Sequence, residues 1–110
     1  MRIIFDENVP RPLLRIFDAS HQVQTVGDLG YAGVANGALL SQLEGAFDVF
    51  LTADKNLRYQ QNLAGRSLAI VELPTNRLPI LVTVAAEIVS AVTSAAPGSY
   101  IQVPLPGATP

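Results

Sequence analysis

Two aspartates stand directly behind stretches of residues that are typical of buried strands. Asp6 follows Ile3-Ile4-Phe5, and Asp54 follows Val49-Phe50-Leu51-Thr52-Ala53. In parallel α/β sheets, ligands bind in the crevice beyond the carboxyl ends of the strands. If the two strands are neighbours, their ends lie about one strand spacing, roughly 5 Å, apart.

Two carboxylates at that distance interact in one of two ways. They repel each other, which raises a pKa, or they bind a divalent cation. Mg²⁺ and Mn²⁺ suit such oxygen sites, and a bound metal activates water for attack on a phosphoryl group. The alternative is that each aspartate only caps a helix that follows its strand. The sequence leaves both interpretations open.

Several polar residues near the two aspartates are candidates for supporting roles. In a regular strand Glu7 faces away from Asp6, so it joins a metal site only if a turn begins there. Asn8 either orients Asp6 or caps a helix. Thr52 either hydrogen-bonds a ligand or fills its strand as a β-branched residue. Three cations are candidates for contacting a substrate phosphate, with ordinary surface charge as the alternative: Lys55, Arg58 and Arg11.

Composition narrows the class of protein. A chain of 110 residues suits one domain, and with 49% hydrophobic and 15% charged residues it is not a disordered tail. With a net charge of −2, the chain lacks the excess of basic residues typical of nucleic-acid-binding proteins. Metal ions or a local cluster of basic residues would therefore have to hold a polynucleotide. The absence of cysteine excludes disulfides and thiolate chemistry, and one histidine excludes a multi-histidine metal site. With no secretory signal and no membrane-spanning segment, a cytoplasmic protein is expected.

The elements that position the aspartates alternate along the chain. This alternation predicts right-handed βαβ units and a mostly parallel sheet. The polar positions of the second strand indicate a sheet edge, and the apolar third strand is typical of a central position. We predict strands at 2–5, 22–26, 49–52, 67–71 and 100–103, with helices from Asn8 or Val9 to Asp18, at 37–44 behind an Asn36 cap, at 57–63 and at 80–95.

The last helix is apolar on most of its surface, which predicts burial against the sheet and against a second copy of the chain. Its polar residues form one narrow stripe: Thr83, Glu87, Ser90 and Ser94. Residues 1–103 are expected to form a single domain, and the Pro/Gly-rich segment 104–110 a disordered tail.

Three further segments follow one another in a fixed order. They are Ile4-Phe5-Asp6-Glu7-Asn8-Val9-Pro10, then His21-Gln22-Val23 with Thr25-Val26 and Asp28-Leu29-Gly30, and then Phe50-Leu51-Thr52-Ala53-Asp54-Lys55. Together they resemble the PIN-like domains of a bacterial family of unknown function, related to the VapC-type toxin ribonucleases, over about residues 2–72. The resemblance implies a three-layer α/β/α fold around a parallel sheet, an acidic site that uses Mg²⁺ or Mn²⁺ to cleave RNA, and an antitoxin-like protein partner.

The chain departs from this family pattern at two positions. Asn36 and Asn56 stand where the family commonly has acidic residues. Amide oxygens still bind Mg²⁺ but bring no negative charge. The resemblance therefore implies a partly degraded site, in which Asp6 and Asp54 are the main ligands, Asn36 and Asn56 are weaker ones, and Glu7 is conditional.

Two other functions are compatible with the sequence. The two amides and the apolar last helix favour a PIN-like scaffold that has lost catalysis and binds a protein partner. A receiver-like phosphoacceptor domain would use Asp54 behind the third strand. That class needs a lysine after its last conserved strand, and the segment Glu72-Leu73-Pro74-Thr75-Asn76-Arg77 contains none.

Overall fold

The computed structural model describes residues 1–57 and 63–107. Within these ranges, five strands form one sheet in the order β2-β1-β3-β4-β5. Every neighbouring pair is parallel, which confirms the predicted type of sheet. The strands are β1 (Arg2–Phe5), β2 (Gln22–Thr25), β3 (Val49–Thr52), β4 (Ala69–Glu72) and β5 (Tyr100–Gln102).

Helices cover both faces of the sheet, so the fold is the predicted three-layer α/β/α arrangement. One face packs against a 3-10 helix, Arg11–Ile16, and against α2 (Leu78–Thr83) and α3 (Ala85–Ser94). The other face packs against α1 (Asn36–Leu43). Alternate strand residues enter the two cores, because successive side chains of a strand point to opposite faces.

The burial of each strand matches its sequence. Every residue of β3 and β4 is buried, as expected for apolar strands covered on both sides. β2 alternates between exposed and half-buried residues and lies at the edge, as predicted. The predicted bounds of β1 and β3 coincide with the observed ones, whereas β4 begins two residues later than expected and includes Glu72.

The first helix differs from the prediction, because it begins at Arg11 and is a 3-10 helix. A proline disfavours the helical conformation in the residue before it. Pro10 therefore blocks a start at Asn8 or Val9, and Pro10 itself is extended, with φ −63° and ψ 126°. The predicted start of α1 was also wrong, since Ala35 is the N-cap of this helix and Asn36 is its first residue.

The predicted helix 80–95 is two helices separated by Val84, whose φ and ψ are −113° and 25°. The Thr83 hydroxyl donates to the Ile80 carbonyl at 2.6 Å. Such bonds from a hydroxyl to the preceding turn bend helices. The predicted polar stripe is exposed throughout.

Two other predictions include residues that the structure does not describe. The predicted helix 57–63 lies outside the described residues apart from its two ends, and so do residues 108–110 of the predicted tail. Among the described residues, no helix is long and apolar enough to cross a membrane.

Candidate functional site

The carboxyl ends of β1 and β3 form the centre of the candidate site. The two strands are neighbours, with Phe5 paired to Leu51, and the Asp6 N–H extends this ladder to the Leu51 carbonyl at 2.9 Å. After β1 the chain crosses to β2 on one side, and β3 lies on the other, so the strand order reverses here. Ligands of doubly wound sheets bind at this switch point.

Thr52 links the two aspartates. Its hydroxyl donates to Asp6 Oδ2 at 2.7 Å and accepts the Asp54 N–H at 3.0 Å. Thr52 is 0% exposed, so it has no surface for the ligand contact proposed from the sequence. From its buried position in β3, Thr52 orients the two aspartates. This role needs the Thr52 hydroxyl as well as its β-branched shape.

Asp6 is a buried carboxylate, 7% exposed. Its Oδ1 accepts the Glu7 N–H at 2.9 Å. Burial raises the pKa of Asp6, and this outweighs the hydrogen bonds from Thr52 and Glu7, which lower it; the charges of Glu7 and Asp54 raise it further. A cation beside Asp6 would relieve this cost of burying charge.

Asn8 connects the loops that follow the two strands. Its Oδ1 accepts the Ala53 N–H at 3.0 Å. Asn8 thus neither caps a helix nor binds Asp6, the two roles that the sequence offered. This contact joins residues 45 positions apart. No local pattern in the sequence signals it.

Asp54 is held by two asparagines. Its Oδ1 accepts the Asn56 N–H at 2.9 Å, and its Oδ2 accepts the Asn36 side-chain amide at a long 3.5 Å. The start of α1 therefore brings Asn36 to the site. Asn56 contributes its backbone, while its side chain and that of Lys55 are exposed.

The remaining sequence candidates lie differently. Glu7 is exposed in a turn and lines, with Asp6 and Arg11, a cleft of about 350 Å³. Arg11 forms an ion pair with Asp28 and lowers the pKa of that carboxyl, so its guanidinium is already engaged. Arg58 lies outside the described residues.

The donor set suits a sparse metal site. Among the described residues, no group of three His, Cys, Asp or Glu side chains could hold a metal ion. Glu7 therefore does not complete a cluster with Asp6 and Asp54. Mg²⁺ is commonly held by one or two carboxylates with waters and substrate phosphates. Each oxygen of Asp6 accepts one hydrogen bond and retains further acceptor capacity, so Asp6 can still accept a contact from such an ion or from its waters.

One polar residue at this edge was missed as a site residue. Glu72 ends β4, where it pairs in register with Thr52 on one side and Gln102 on the other. It is 5% exposed. The sequence contains the pattern that could have identified it, since Glu72 follows the apolar run Leu68–Val71 in the way that Asp6 follows its own strand.

Comparisons with protein-family models, with curated proteins and with solved structures found no match for this chain. The fold and the site therefore define the class of molecule on their own. It is a three-layer α/β protein with an acidic pair at the switch point of a parallel sheet.

Proposed function

We propose that the chain is a PIN-like ribonuclease dependent on Mg²⁺ or Mn²⁺, with Asp6 and Asp54 as the metal ligands. One observation carries this proposal. Asp6 is a buried carboxylate, and Thr52 ties it to Asp54 at the edge of the sheet where ligands bind. A carboxylate buried without a cation is costly, so the burial of Asp6 favours a cationic ligand.

The two aspartates have separate tasks. Asp6 offers a desolvated charge, which attracts a cation more strongly than an exposed one does. Asp54 offers a second charge beyond the end of β3, where the Asn36 side-chain amide donates a hydrogen bond to it. Thr52 and Asn8 fix the distance between the two loops. When bound, the metal polarises a phosphoryl oxygen and makes water a better nucleophile.

The substrate is proposed to approach from the exposed side of Asp54. Lys55 follows it in the chain and is exposed, which supports a contact with a phosphate of RNA. Asn36 and Asn56 add no charge, so we expect weak metal binding, in the millimolar range of free Mg²⁺ or Mn²⁺.

The test is calorimetric titration with Mn²⁺ and Mg²⁺, followed by cleavage of a fluorogenic single-stranded RNA. The wild type should give heat and cleave RNA, whereas Asp6→Asn and Asp54→Asn should lose both. Asp48→Asn is the matched control, because Asp48 precedes β3 at its opposite end and pairs with Arg2. No heat from the wild type, together with unchanged cleavage in Asp6→Asn, would refute the proposal.

A second candidate is a PIN-like scaffold that binds a protein, either an antitoxin-like partner or a second copy through the last helices. The lack of a third converging acid among the described residues favours it. Val82 of α2 is 55% exposed, which supplies an apolar contact on that side. Sedimentation of the wild type and of Val82→Asp tests the form that binds a second copy, since that form predicts a dimer that this change dissociates without any effect of metal.

The phosphoacceptor alternative has less support. Asp54 does follow the third strand of a sheet with the strand order of doubly wound proteins. The single lysine of the chain is Lys55, next to Asp54, and β4 and β5 end in Glu72 and Gln102. Failure of acetyl phosphate to label Asp54 would exclude this function.

A further inference from the structure

Glu72 is a buried carboxylate that the proposed metal site does not use. Its Oε1 accepts the Tyr100 hydroxyl at 2.6 Å, and its Oε2 accepts the Gln102 amide at 3.1 Å. Both donors are neutral, and Glu72 takes part in neither ion pair of the described residues. Each oxygen can accept a further hydrogen bond. Glu72 therefore retains capacity for a ligand that presents two N–H donors.

Glu72 lines a cleft at the carboxyl ends of β4 and β5, which we call the β4–β5 cleft. The cleft measures about 410 Å³, within the range of roughly 300–1,000 Å³ typical of small-molecule sites. It combines one carboxylate, one amide and one cation with an apolar wall. Its lining includes Lys55, Glu72, Pro74, Gln102, Val103 and Leu105.

We propose that the β4–β5 cleft binds a guanine nucleotide, as the specificity subsite of the ribonuclease proposed above, on which this inference rests. Guanine presents N1–H and N2–H₂ side by side, which matches the two oxygens of Glu72. The apolar wall packs against the faces of the base, and Lys55 contacts its phosphate.

The other bases do not match the same groups. Adenine and cytosine each place an acceptor beside a single amino donor, and uracil places its N–H between two carbonyl acceptors. A carboxylate facing those acceptors loses hydrogen bonds and gains repulsion. The charge of Lys55 also disfavours a cationic ligand such as an arginine side chain. Lys55 directly follows Asp54 in the chain, so the cleft adjoins the proposed metal site. The subsite therefore selects RNA cleaved next to guanine.

The test uses the full chain in EDTA, so that metal binding plays no part. Calorimetry compares GMP, IMP, AMP, CMP and UMP. GMP should bind at least about tenfold more tightly than AMP, CMP or UMP, within the range of a bidentate base contact. IMP, which lacks the N2 amino group, should fall between. Equal affinities for all bases, or equal affinities for IMP and GMP, would overturn the proposal.

Variants distinguish the proposed contact of Glu72 with the base from that of Lys55 with the phosphate. Lys55→Ala changes an exposed residue and should weaken GMP severalfold while leaving guanosine unaffected. Glu72→Gln should remove the preference for GMP, whereas Glu44→Gln, at the opposite end of the sheet, should keep it. If Glu72→Gln does not fold, the affinities of the five nucleotides for the wild type and for Lys55→Ala test the proposal. Tighter binding of N-acetylarginine amide than of GMP would instead assign the cleft to a protein partner and refute the proposal.

The two proposals fail separately. Loss of guanine selectivity in EDTA leaves metal binding and cleavage untouched. Absence of metal heat or cleavage leaves the nucleotide affinities measurable.

Discussion

The hydroxyl of Thr52 satisfies two groups at once, the buried carboxylate of Asp6 and the partly buried N–H of Asp54. Buried polar groups left without partners cost more than the hydrogen bond itself contributes. At the scale of single residues, the site therefore depends on one oxygen atom that no ligand can reach.

Thr52→Val should reveal this dependence, because valine keeps the shape and removes the hydroxyl. We expect a loss of about 1–3 kcal/mol of unfolding free energy, since the buried carboxylate of Asp6 and the partly buried N–H of Asp54 both lose a partner. The pKa of Asp6 should also rise further, because the Thr52 bond lowers it. Urea denaturation in EDTA and NMR titration of Asp6 measure the two effects.

Thr52→Ser is the control for that experiment. Serine keeps the hydroxyl and loses one buried methyl group, which costs about 0.5–1.5 kcal/mol. A serine variant less stable than the valine variant would show that shape, and not the hydroxyl, matters at this position.

At the scale of elements, side chains and glycines set how the strands are joined. The carboxylate of Glu44, which caps the end of α1, accepts hydrogen bonds from Ser67 and Leu68 just before β4. These bonds, above all that of the Ser67 hydroxyl, lower the pKa of Glu44 below its ordinary value of 4.5.

Glu44→Gln should therefore lower stability in a pH-dependent way. A carboxyl with a depressed folded-state pKa stabilises the fold above its unfolded pKa, and this contribution is lost as the pH falls through the folded value. The variant should be slightly less stable than the wild type at pH 7 and equal to it near pH 2. Urea denaturation across this range measures the difference, with Glu87→Gln, a change at an exposed position of α3, as the control. A difference independent of pH would contradict this assignment.

Gly98 fixes the turn that leads into β5. Its φ is +75°, and a Cβ there would lie 2.5 Å from the Arg66 carbonyl oxygen. Gly98→Ala should cost about 1–2 kcal/mol for the left-handed conformation and about 1–3 kcal/mol more for the overlap. Gly45 is the matched control, since its φ is +80° and nothing lies within 4 Å of its added Cβ. Equal losses in the two variants, measured by denaturation, would exclude the close approach.

At the scale of the whole molecule, the parallel sheet separates two hydrophobic cores. Ile70 belongs to the core under α1, and Ile88 belongs to the core under α2 and α3. A sheet buried on both faces couples the two cores in one cooperative unit, although their side chains do not share a cavity.

Ile70→Val and Ile88→Val should each lower the unfolding free energy by about 0.5–1.5 kcal/mol, because each removes one buried methylene. The double variant should show the sum within about 0.5 kcal/mol, as expected for sites without shared partners. Denaturation followed by fluorescence and by circular dichroism should give coincident transitions. Two separate transitions would show that the cores unfold independently.

Local patterns in the sequence determined much of this protein. The apolar runs of β1 and β3 predicted their bounds and placed Asp6 and Asp54 at strand ends, because burial on both faces leaves a local signature. The parallel sheet followed from alternating strands and helices. Local rules failed where prolines shifted the first helix and where Val84 divided the last one.

Only the tertiary structure decided how the strand ends meet. Strand order and register place Thr52 against Asp6, residues 46 positions apart, and bring Tyr100 and Gln102 to Glu72. Such contacts depend on which strands become neighbours, and the hydrophobic pattern indicates an edge or central position but not which strands pair. The sequence by itself thus determined which residues stand at the carboxyl edge of the sheet, and the fold determined which of them touch.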